Sequence, residues 1–281
     1  MKQIPADRIT ETVRRLCIEA NRLLPDDLRA ALARARADEP WPIAAAVLED
    51  IIENYRLAEQ TQNAICQDTG LACVFVELGQ EVAVVGGDAC EAIHEGVRQG
   101  YTEGYLRKST VTDPLFARSN PGDNTPAVIT WELVPGDALR ITVAPKGAGS
   151  ENMSRIAMLK PADGVDGVRA FVLETVRAAG SNPCPPIVVG VGLGGTFDRA
   201  ALLAKRALLR PVDLSHPDPR YAALERELLE SINALGIGPQ GFGGKTTALG
   251  VSIETAPTHI AMLPCAVNIG CHVTRHRTAL L

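Results

Sequence analysis

The stretch AVITWELVPGDALRITV, residues 127–143, decides the fold class. Both of its ends are rich in β-branched and other apolar residues, as strands are. Between them, Pro135-Gly136-Asp137 has the composition of a tight turn, so the stretch predicts a β-hairpin. A hairpin requires antiparallel pairing, and the chain is therefore not expected to contain a purely parallel sheet.

Further strands and several helices surround this hairpin in the sequence. Apolar runs predict strands at 71–76, 82–85 and 187–191, and the last 45 residues are glycine-rich with short β-like pieces. Residues 109–126 are a predicted loop, and residues 145–164 are a predicted loop-rich stretch. Apolar residues at helical spacing predict helices at 7–36 (interrupted by Pro25), 43–60, 89–103, 165–179, 196–209 and 219–235. The predicted class is mixed α/β (α+β), with mixed sheets that include antiparallel pairing and are surrounded by helices.

The composition excludes several classes of protein. Hydrophobic residues make up 46% and charged residues 22% of the 281, which is ordinary for a folded protein. The net charge of −5 and the pI of about 5.6 argue against a nucleic-acid binder. No apolar run reaches the ~20 residues that span a bilayer, and Met1–Thr10 lacks the apolar segment of a signal peptide. The expected location is the cytoplasm.

Two glycine-rich motifs suggest nucleotide binding. Gly190–Gly195 fits the pattern G-x-G-x-x-G between a strand and a helix, but residues 210–217 lack the strand with a terminal acid that dinucleotide folds place there. The other interpretation is a tight turn where backbone closely approaches backbone or a ligand. Gly243–Thr247 resembles the end of a phosphate loop, but Pro239 stands where that loop requires glycine, so we set it aside.

Seven cysteines are the candidate metal ligands. Their number is odd and the chain is too large to need disulfide bonds, so the thiols should stay reduced in a cytosol. Three of them lie on predicted helices or in an apolar strand and are predicted core residues: Cys17, Cys73 and Cys90. Cys265 fits either role.

The other three cysteines lie at predicted turns beside Gly or Pro, where functional residues concentrate. Their segments are Cys66-Gln67-Asp68-Thr69-Gly70, Asn182-Pro183-Cys184-Pro185-Pro186 and Asn268-Ile269-Gly270-Cys271-His272. The three thiols stand 118 and 87 residues apart, far wider than in ferredoxins or zinc ribbons. Only a fold that gathers three loops brings them to one metal centre, and their spacing alone does not identify that centre.

Together these segments resemble the alpha subunit of the class I, iron–sulfur-dependent fumarate hydratases and of the related tartrate dehydratases. The resemblance covers nearly the whole chain, which implies a single catalytic domain over residues 1–281. The other segments that carry it are Lys146–Met153, Gly192–Phe197 and Gly236–Cys271.

In that family three cysteines hold a four-iron–four-sulfur (4Fe-4S) cluster, and the matching positions here are Cys66, Cys184 and Cys271. Three thiolates leave one iron without a protein ligand, and such an iron can act as a Lewis acid on a substrate's hydroxyl and carboxylate. The resemblance therefore implies reversible hydration of fumarate to malate by a cluster that three loops hold.

The resemblance also implies which residues meet the substrate. Arg107 would bind a carboxylate through its guanidinium. Asp68 and His259 are the catalytic candidates, and for Asp68 both orientation of the hydroxyl and a share in proton transfer stay open. The predicted substrate-binding set is Gln67, Asp68, Arg107, Gly149 and His259.

Single-chain members of the family continue past the third cysteine into a domain that supplies further substrate residues. Because this chain ends at Leu281, the resemblance implies a separate beta subunit, which carries the general base, in an α2β2 assembly. Tartrate dehydratase and mesaconate hydratase are the alternatives within the same chemistry. A nucleotide-dependent oxidoreductase using Gly190–Gly195 and a non-catalytic cluster scaffold are the competing functions from other classes.

Overall fold

The computed structural model of the protein describes all residues from Met1 to Leu281. Its internal contacts group the chain into two compact units. Unit 1 comprises Met1–Leu24, Tyr55–Ala148 and Arg275–Leu281, and unit 2 comprises Pro25–Asn54 and Gly149–Thr274. Each unit combines helices with a sheet of parallel and antiparallel strands, which confirms the predicted mixed α/β class. The assignment of residues 1–281 to a single domain stays a prediction.

The helices lie close to their predicted positions. The predicted helix at 7–36 is two helices, because Pro25 stands at the N-cap of the second with extended backbone. None of the helices has the length and apolar character needed to cross a membrane. The helices are α1 (Ala6–Arg22), α2 (Asp26–Asp38), α3 (Pro42–Thr61), α4 (Ala89–Glu103), α5 (Ala148–Glu151), α6 (Gly164–Ala179), α7 (Phe197–Ala207) and α8 (Pro219–Asn233).

The strands are β1 (Lys2–Pro5), β2 (Leu71–Gly79), β3 (Val82–Val85), β4 (Val128–Val134), β5 (Leu139–Lys146), β6 (Arg155–Leu159), β7 (Ile187–Gly194), β8 (Ala248–Ala256), β9 (Leu263–Gly270) and β10 (Arg277–Leu280). The predicted loop-rich stretch at 145–164 contains two regular elements that were not predicted, the short helix α5 and the strand β6. β6 is an edge strand that pairs only with β9, so its pairing depends on residues more than a hundred positions away. A local pattern cannot show such pairing.

In unit 1, helices α1 and α4 share one hydrophobic core with a sheet in the order β10-β5-β2-β4. Two glycines of α4 allow the helices to approach closely. A Cβ at Gly96 would lie 2.7 Å from the carbonyl oxygen of Thr10, and one at Gly100 would lie 2.8 Å from that of Arg14. The core includes Ile9, Val13, Leu16, Val74, Val76, Ile93, Val97, Tyr101, Ile141 and Val143.

The predicted hairpin at 127–143 is wrong in its pairing. β4 and β5 are not neighbours, because β2 lies between them, parallel to β4 and antiparallel to β5. The turn after β4 crosses the end of β2, where the N–H of Gly79 donates to Ala138 O (2.9 Å) and that of Glu81 donates to Gly136 O (3.0 Å). The predicted antiparallel pairing is present, but β5 makes it with an earlier strand.

β4 is an edge of this sheet, with β2 as its only strand neighbour. Three of its apolar side chains reach solvent: Val128 is 49% exposed, Trp131 is 37% exposed and Leu133 is 69% exposed. Its outer backbone groups therefore have no partner strand within unit 1.

Unit 2 is built around β7, whose eight residues are all buried. β7 lies between β8, which is parallel to it, and β9, which is antiparallel, in the order β6-β9-β7-β8. Helix α7 packs on β7 at backbone distance. A Cβ at Gly190 or Gly192 would lie 2.1 Å from the carbonyl oxygen of Ala204 or Ala200. The Gly190–Gly195 motif is thus explained by close backbone approach, which removes the reason for a nucleotide site there.

An ion pair between Arg210, which follows α7, and Glu225 of α8 contacts β8 within unit 2. Glu225, which is 6% exposed, accepts from the guanidinium of Arg210 and also from the N–H groups of Ile253 (2.8 Å) and His216 (3.0 Å). Arg210 also donates to Ile253 O at 3.1 Å. Removing the carboxylate would leave a buried cation and two backbone donors without this acceptor.

Candidate functional site

None of the seven cysteines forms a disulfide bond. Cys17, Cys73 and Cys265 are buried, and burial raises the pKa of the Cys17 thiol and that of the Cys265 thiol, the latter to about 12. Such thiols stay protonated and inert. The core prediction for Cys17 and Cys73 is confirmed, and Cys265 joins them. The prediction for Cys90 is wrong: it is exposed in the first turn of α4, ahead of the first buried residues of that helix, Ala92 and Ile93.

The Cys66 segment lies just before β2 in unit 1. The Sγ atom of Cys66 accepts the backbone N–H of Asp68 at 3.4 Å and lies 3.4 Å from Oε1 of the exposed Gln67. The buried Arg275 supports the segment by donating to Asp68 O (2.7 Å) and to Oδ1 of Asn21 (3.1 Å). These contacts hold the sulfur of Cys66 in place just ahead of β2.

The carboxylate of Asp68 is used to hold backbone. Oδ1 accepts the N–H of Gly70 at 3.0 Å, and Oδ2 accepts the N–H of Ala148 at 2.9 Å. Ala148 directly precedes Gly149, so Asp68 fixes the start of the segment in which Gly149 lies. A Cβ at Gly147 would come within 3.0 Å of Oδ2, which explains a glycine there.

Arg107 has an exposed side chain on a loop that is tied to the Cys66 segment. Its carbonyl oxygen accepts from Oγ1 of Thr69 at 2.8 Å. The fully buried Asn124 makes a second connection: its Nδ2 donates to Gly70 O (3.1 Å), and its Oδ1 accepts the N–H of Ser109 (2.6 Å). Unit 1 therefore brings together Cys66, Gln67, Asp68 and Arg107.

In unit 2, Cys184 is exposed between two prolines. Its backbone is in the left-handed region, with φ +54°, and its N–H donates to Ser181 O at 3.0 Å. Cys271 follows β9 directly, and its Sγ accepts the N–H of Val273 at 3.4 Å, as that of Cys66 accepts the N–H two residues on. Nδ1 of His272 lies 2.9 Å from Cys184 O, so the two cysteine loops lie side by side.

The register of unit 2 decides which predicted residues meet. The first residues of β7 pair with the last residues of β9, so Cys184, ahead of β7, and Cys271, after β9, share one end of the sheet. Gly149 is at that end, since a Cβ on it would lie 3.7 Å from Asn182 O. His259 precedes β9 and lies at the opposite end, roughly 25 Å away by the rise of the strand. One small dicarboxylate cannot reach both ends within one chain.

His259 lines an open cavity of about 470 Å³ together with Arg199, Thr196 and Thr258. Oγ1 of Thr258 donates to Gly195 O at 2.9 Å, and the stem of Arg199 lies where a Cβ of Gly195 would stand. The cavity offers a guanidinium and an imidazole to a ligand at this end of unit 2.

The turn cysteines have the donor chemistry of an iron–sulfur site. No three or more His, Cys, Asp or Glu side chains are grouped so that they could hold a single metal ion. A cuboidal cluster needs a wider arrangement of ligands than a single ion does. Each thiolate binds a different iron, so the cysteine sulfur atoms stand farther apart. Two neighbouring turn cysteines in unit 2, and N–H donors to the sulfurs of Cys66 and Cys271, fit such a cluster.

The family model for fumarate hydratase (Fumerase) matches residues 10–280, a range that includes all three turn cysteines. The chain belongs to the fumarate hydratase family. Within it, the chain is 45% identical over 273 residues to a protein of Methanocaldococcus jannaschii that is provisionally named L(+)-tartrate dehydratase subunit alpha, with 95% of each chain covered. It is 33% identical to the L(+)-tartrate dehydratase subunit alpha of Escherichia coli O157:H7, over 100% of this chain and 93% of that one.

Three residues stabilise the loops of the candidate site in this fumarate hydratase family member, and none of them has a role in the sequence-based predictions. They are Asn124, which connects the Arg107 loop to Gly70, and His272 and Gln240, which bind carbonyl oxygens of the Cys184 loop. Each lies in a Gly- or Pro-rich turn, which is the signal that could have drawn attention to it. Their partners are 54 to 88 residues away, so no local pattern shows the contacts.

Proposed function

We propose that this chain is the alpha subunit of an iron–sulfur hydro-lyase that adds water to, or removes it from, a small dicarboxylate. The observation that carries the proposal is the side-by-side position of the Cys184 and Cys271 loops, whose thiols lie outside the hydrophobic cores. Membership of the fumarate hydratase family supports the chemistry. The residues proposed to hold the 4Fe-4S cluster are Cys66, Cys184 and Cys271.

When bound, the cluster would supply one iron without a protein ligand as a Lewis acid for the substrate's hydroxyl and carboxylate. The chain's own residues then bind and orient the dianion. Arg107 presents a guanidinium to solvent, and a guanidinium binds a carboxylate through two parallel hydrogen bonds. Gln67 offers an exposed amide beside Cys66, and Gly149 leaves its backbone accessible at the cysteine end of unit 2.

For Asp68 the contacts favour positioning over proton transfer, because each carboxylate oxygen already accepts a backbone N–H. We expect Asp68→Asn to lower kcat of the complex by about 100-fold, since an amide can replace only one of the two acceptors and a small displacement of a site loop costs that much. Iron and sulfide content should stay near that of the wild type. A fall in kcat that also removes one limb of its pH profile would instead assign proton transfer to Asp68.

Arg107 is proposed to grip one substrate carboxylate. We expect Arg107→Met to raise KM by about 10- to 100-fold, which corresponds to the loss of a charge-assisted hydrogen-bonded pair. The matched control is Arg226→Met, an exposed arginine on α8 for which KM should not change. Equal KM values for the two variants would remove Arg107 from the substrate site.

His259 stays a predicted substrate residue, with a geometric condition attached. The length of β9 separates His259 from Cys271. His259 would therefore not act in the site to which Cys184 and Cys271 of the same chain belong, but in a different one. Arg199 shares its cavity and would act there with it.

The partner is proposed to be a separate beta subunit in an α2β2 assembly in the cytoplasm. The relatives from M. jannaschii and E. coli are named as alpha subunits, which supports a second kind of subunit. That subunit is proposed to carry the general base and the remaining substrate contacts.

Three substrates are candidates. Reversible hydration of fumarate to malate is the sequence-based prediction, with mesaconate as an alternative, whereas the names of the similar alpha subunits favour L(+)-tartrate. Tartrate has one hydroxyl more than malate. A site built to bind that hydroxyl rejects the molecule lacking it by about 10⁴-fold or more, because its buried polar groups are left unpaired. The kcat/KM value for the preferred acid, L(+)-tartrate or malate, should therefore exceed the value for the other by a large factor.

The test is an anaerobic assay of the chain co-purified with its beta subunit against fumarate, L(+)-tartrate and mesaconate. We expect a brown complex that turns over one of the three. A complex without iron and sulfide, or one with a full cluster that leaves all three acids unchanged, would contradict the proposed function.

A further inference from the structure

Two residues clamp the backbone around Cys184. The carbonyl oxygen of Cys184 accepts from His272 through both its backbone N–H (3.4 Å) and its ring Nδ1 (2.9 Å). The next carbonyl oxygen, that of Pro185, accepts from Gln240 through both its backbone N–H and its side-chain Nε2, each at 2.8 Å. His272 and Gln240 are called the clamp residues below.

The carbonyl of Cys184 also determines which ring nitrogen of His272 carries a proton. A carbonyl oxygen can only accept, so Nδ1 must be the donor. The contact of 3.3 Å between Nδ1 and Nε2 of Gln240 then joins two donors and is not a hydrogen bond. Gln240 is therefore directed to Pro185 alone, and each clamp residue has its own carbonyl.

The Cys184 loop needs such a clamp because of its sequence. Pro183, Pro185 and Pro186 have no N–H, so this stretch is anchored mainly through its carbonyl groups. The backbone of Cys184 is also in the left-handed region, which is strained for a non-glycine residue and persists only where its surroundings impose it. The clamp residues provide that constraint.

We infer that His272 and Gln240 are positioning residues that set the distance between the thiols of Cys184 and Cys271. His272 is covalently joined to Cys271 and bonded to Cys184, so it connects the two loops directly. The inference rests on the proposed function only in that the two thiols are taken to bind one cluster. The clamp geometry does not depend on that function.

The test compares His272→Asn with His272→Leu in the complex of this chain and its beta subunit. Asn places an amide nitrogen where Nδ1 stands and keeps the donor, whereas Leu has nearly the same shape and no donor. Cluster loss is followed anaerobically with an iron chelator. We expect His272→Leu to lose its cluster about 10- to 100-fold faster than the wild type, as for residues that orient metal ligands, and His272→Asn to restore most of the difference. Equal rates for Leu and Asn would overturn the inference.

A second readout uses the complex without cluster. Cys184 and Cys271 are cross-linked by a short dithiol-reactive reagent, and the linked peptides are quantified by mass spectrometry. We expect a several-fold lower yield in His272→Leu than in His272→Asn, and equal yields would again overturn the inference.

If His272→Leu does not fold, Gln240→Glu provides the same comparison, because it removes the side-chain donor to Pro185 and keeps the size of the side chain. A wild-type complex that cross-links as expected but never takes up iron would contradict the proposed function and leave the clamp intact.

Discussion

Replacing Cys271 with Ser is expected to lower kcat/KM of the complex for its dicarboxylate by at least about 10³-fold, or roughly 4 kcal/mol of transition-state free energy. The serine hydroxyl stays protonated at neutral pH and is a poor ligand for iron, so one corner of the cluster would lose its attachment. The same result is expected for Cys184→Ser and Cys66→Ser. The measurements are kcat/KM and the iron and sulfide bound to each alpha subunit.

Cys90→Ser is the matched control, because Cys90 is exposed on α4 and its sulfur holds nothing in the predicted site. It should keep both the activity and the iron of the wild type. If Cys271→Ser retains full activity with a complete cluster, the assignment of that ligand is wrong, and with it the proposed role of the neighbouring loops.

Glu225→Ala is expected to lower the free energy of unfolding by about 3–5 kcal/mol. The change removes the better buried of the two carboxylates that pair with Arg210, leaving only Glu254 at 3.3 Å, and it removes the acceptor of two backbone N–H groups. A loss of that size corresponds to a fall in Tm of roughly 6 °C or more for a chain of this length, measured by calorimetry of the complex.

The control for this prediction lies two positions along the same helix. Glu227 pairs with Arg169, but both side chains are substantially exposed, so Glu227→Ala should cost less than about 1 kcal/mol. Similar Tm values for the two variants would mean that the buried pair does not stabilise unit 2 beyond an ordinary surface pair.

The sequence predicts those parts of the fold that depend on local chemistry. Pro25 ends one helix and starts the next, and the glycines at 190 and 192 mark a close backbone approach, because both effects act within a few residues. The hairpin fails because β2, which comes earlier in the chain, enters between β4 and β5. Edge strand β6 is missed for the same reason, since only its distant partner makes it a strand.

The candidate site likewise has residues that local sequence predicts and residues that depend on distant contacts. Turn context separates Cys66, Cys184 and Cys271 from the buried cysteines, although Cys90 shows that a helical position alone does not predict burial. His259 lies only twelve residues before Cys271, yet a fully extended strand occupies most of that interval, so nearness in sequence becomes distance in space. The clamp residues could not be found locally, because their partners are distant in the chain.

The open edge at β4 has a practical consequence for handling the protein. A strand that pairs with another strand on one side only and exposes Trp131 and Leu133 is a template on which other chains can add, so concentrated alpha chains should aggregate by edge-to-edge strand addition. Introducing a lysine at position 133, in the manner of natural gatekeeper residues, should raise the yield of dispersed material without disturbing the interior of unit 1.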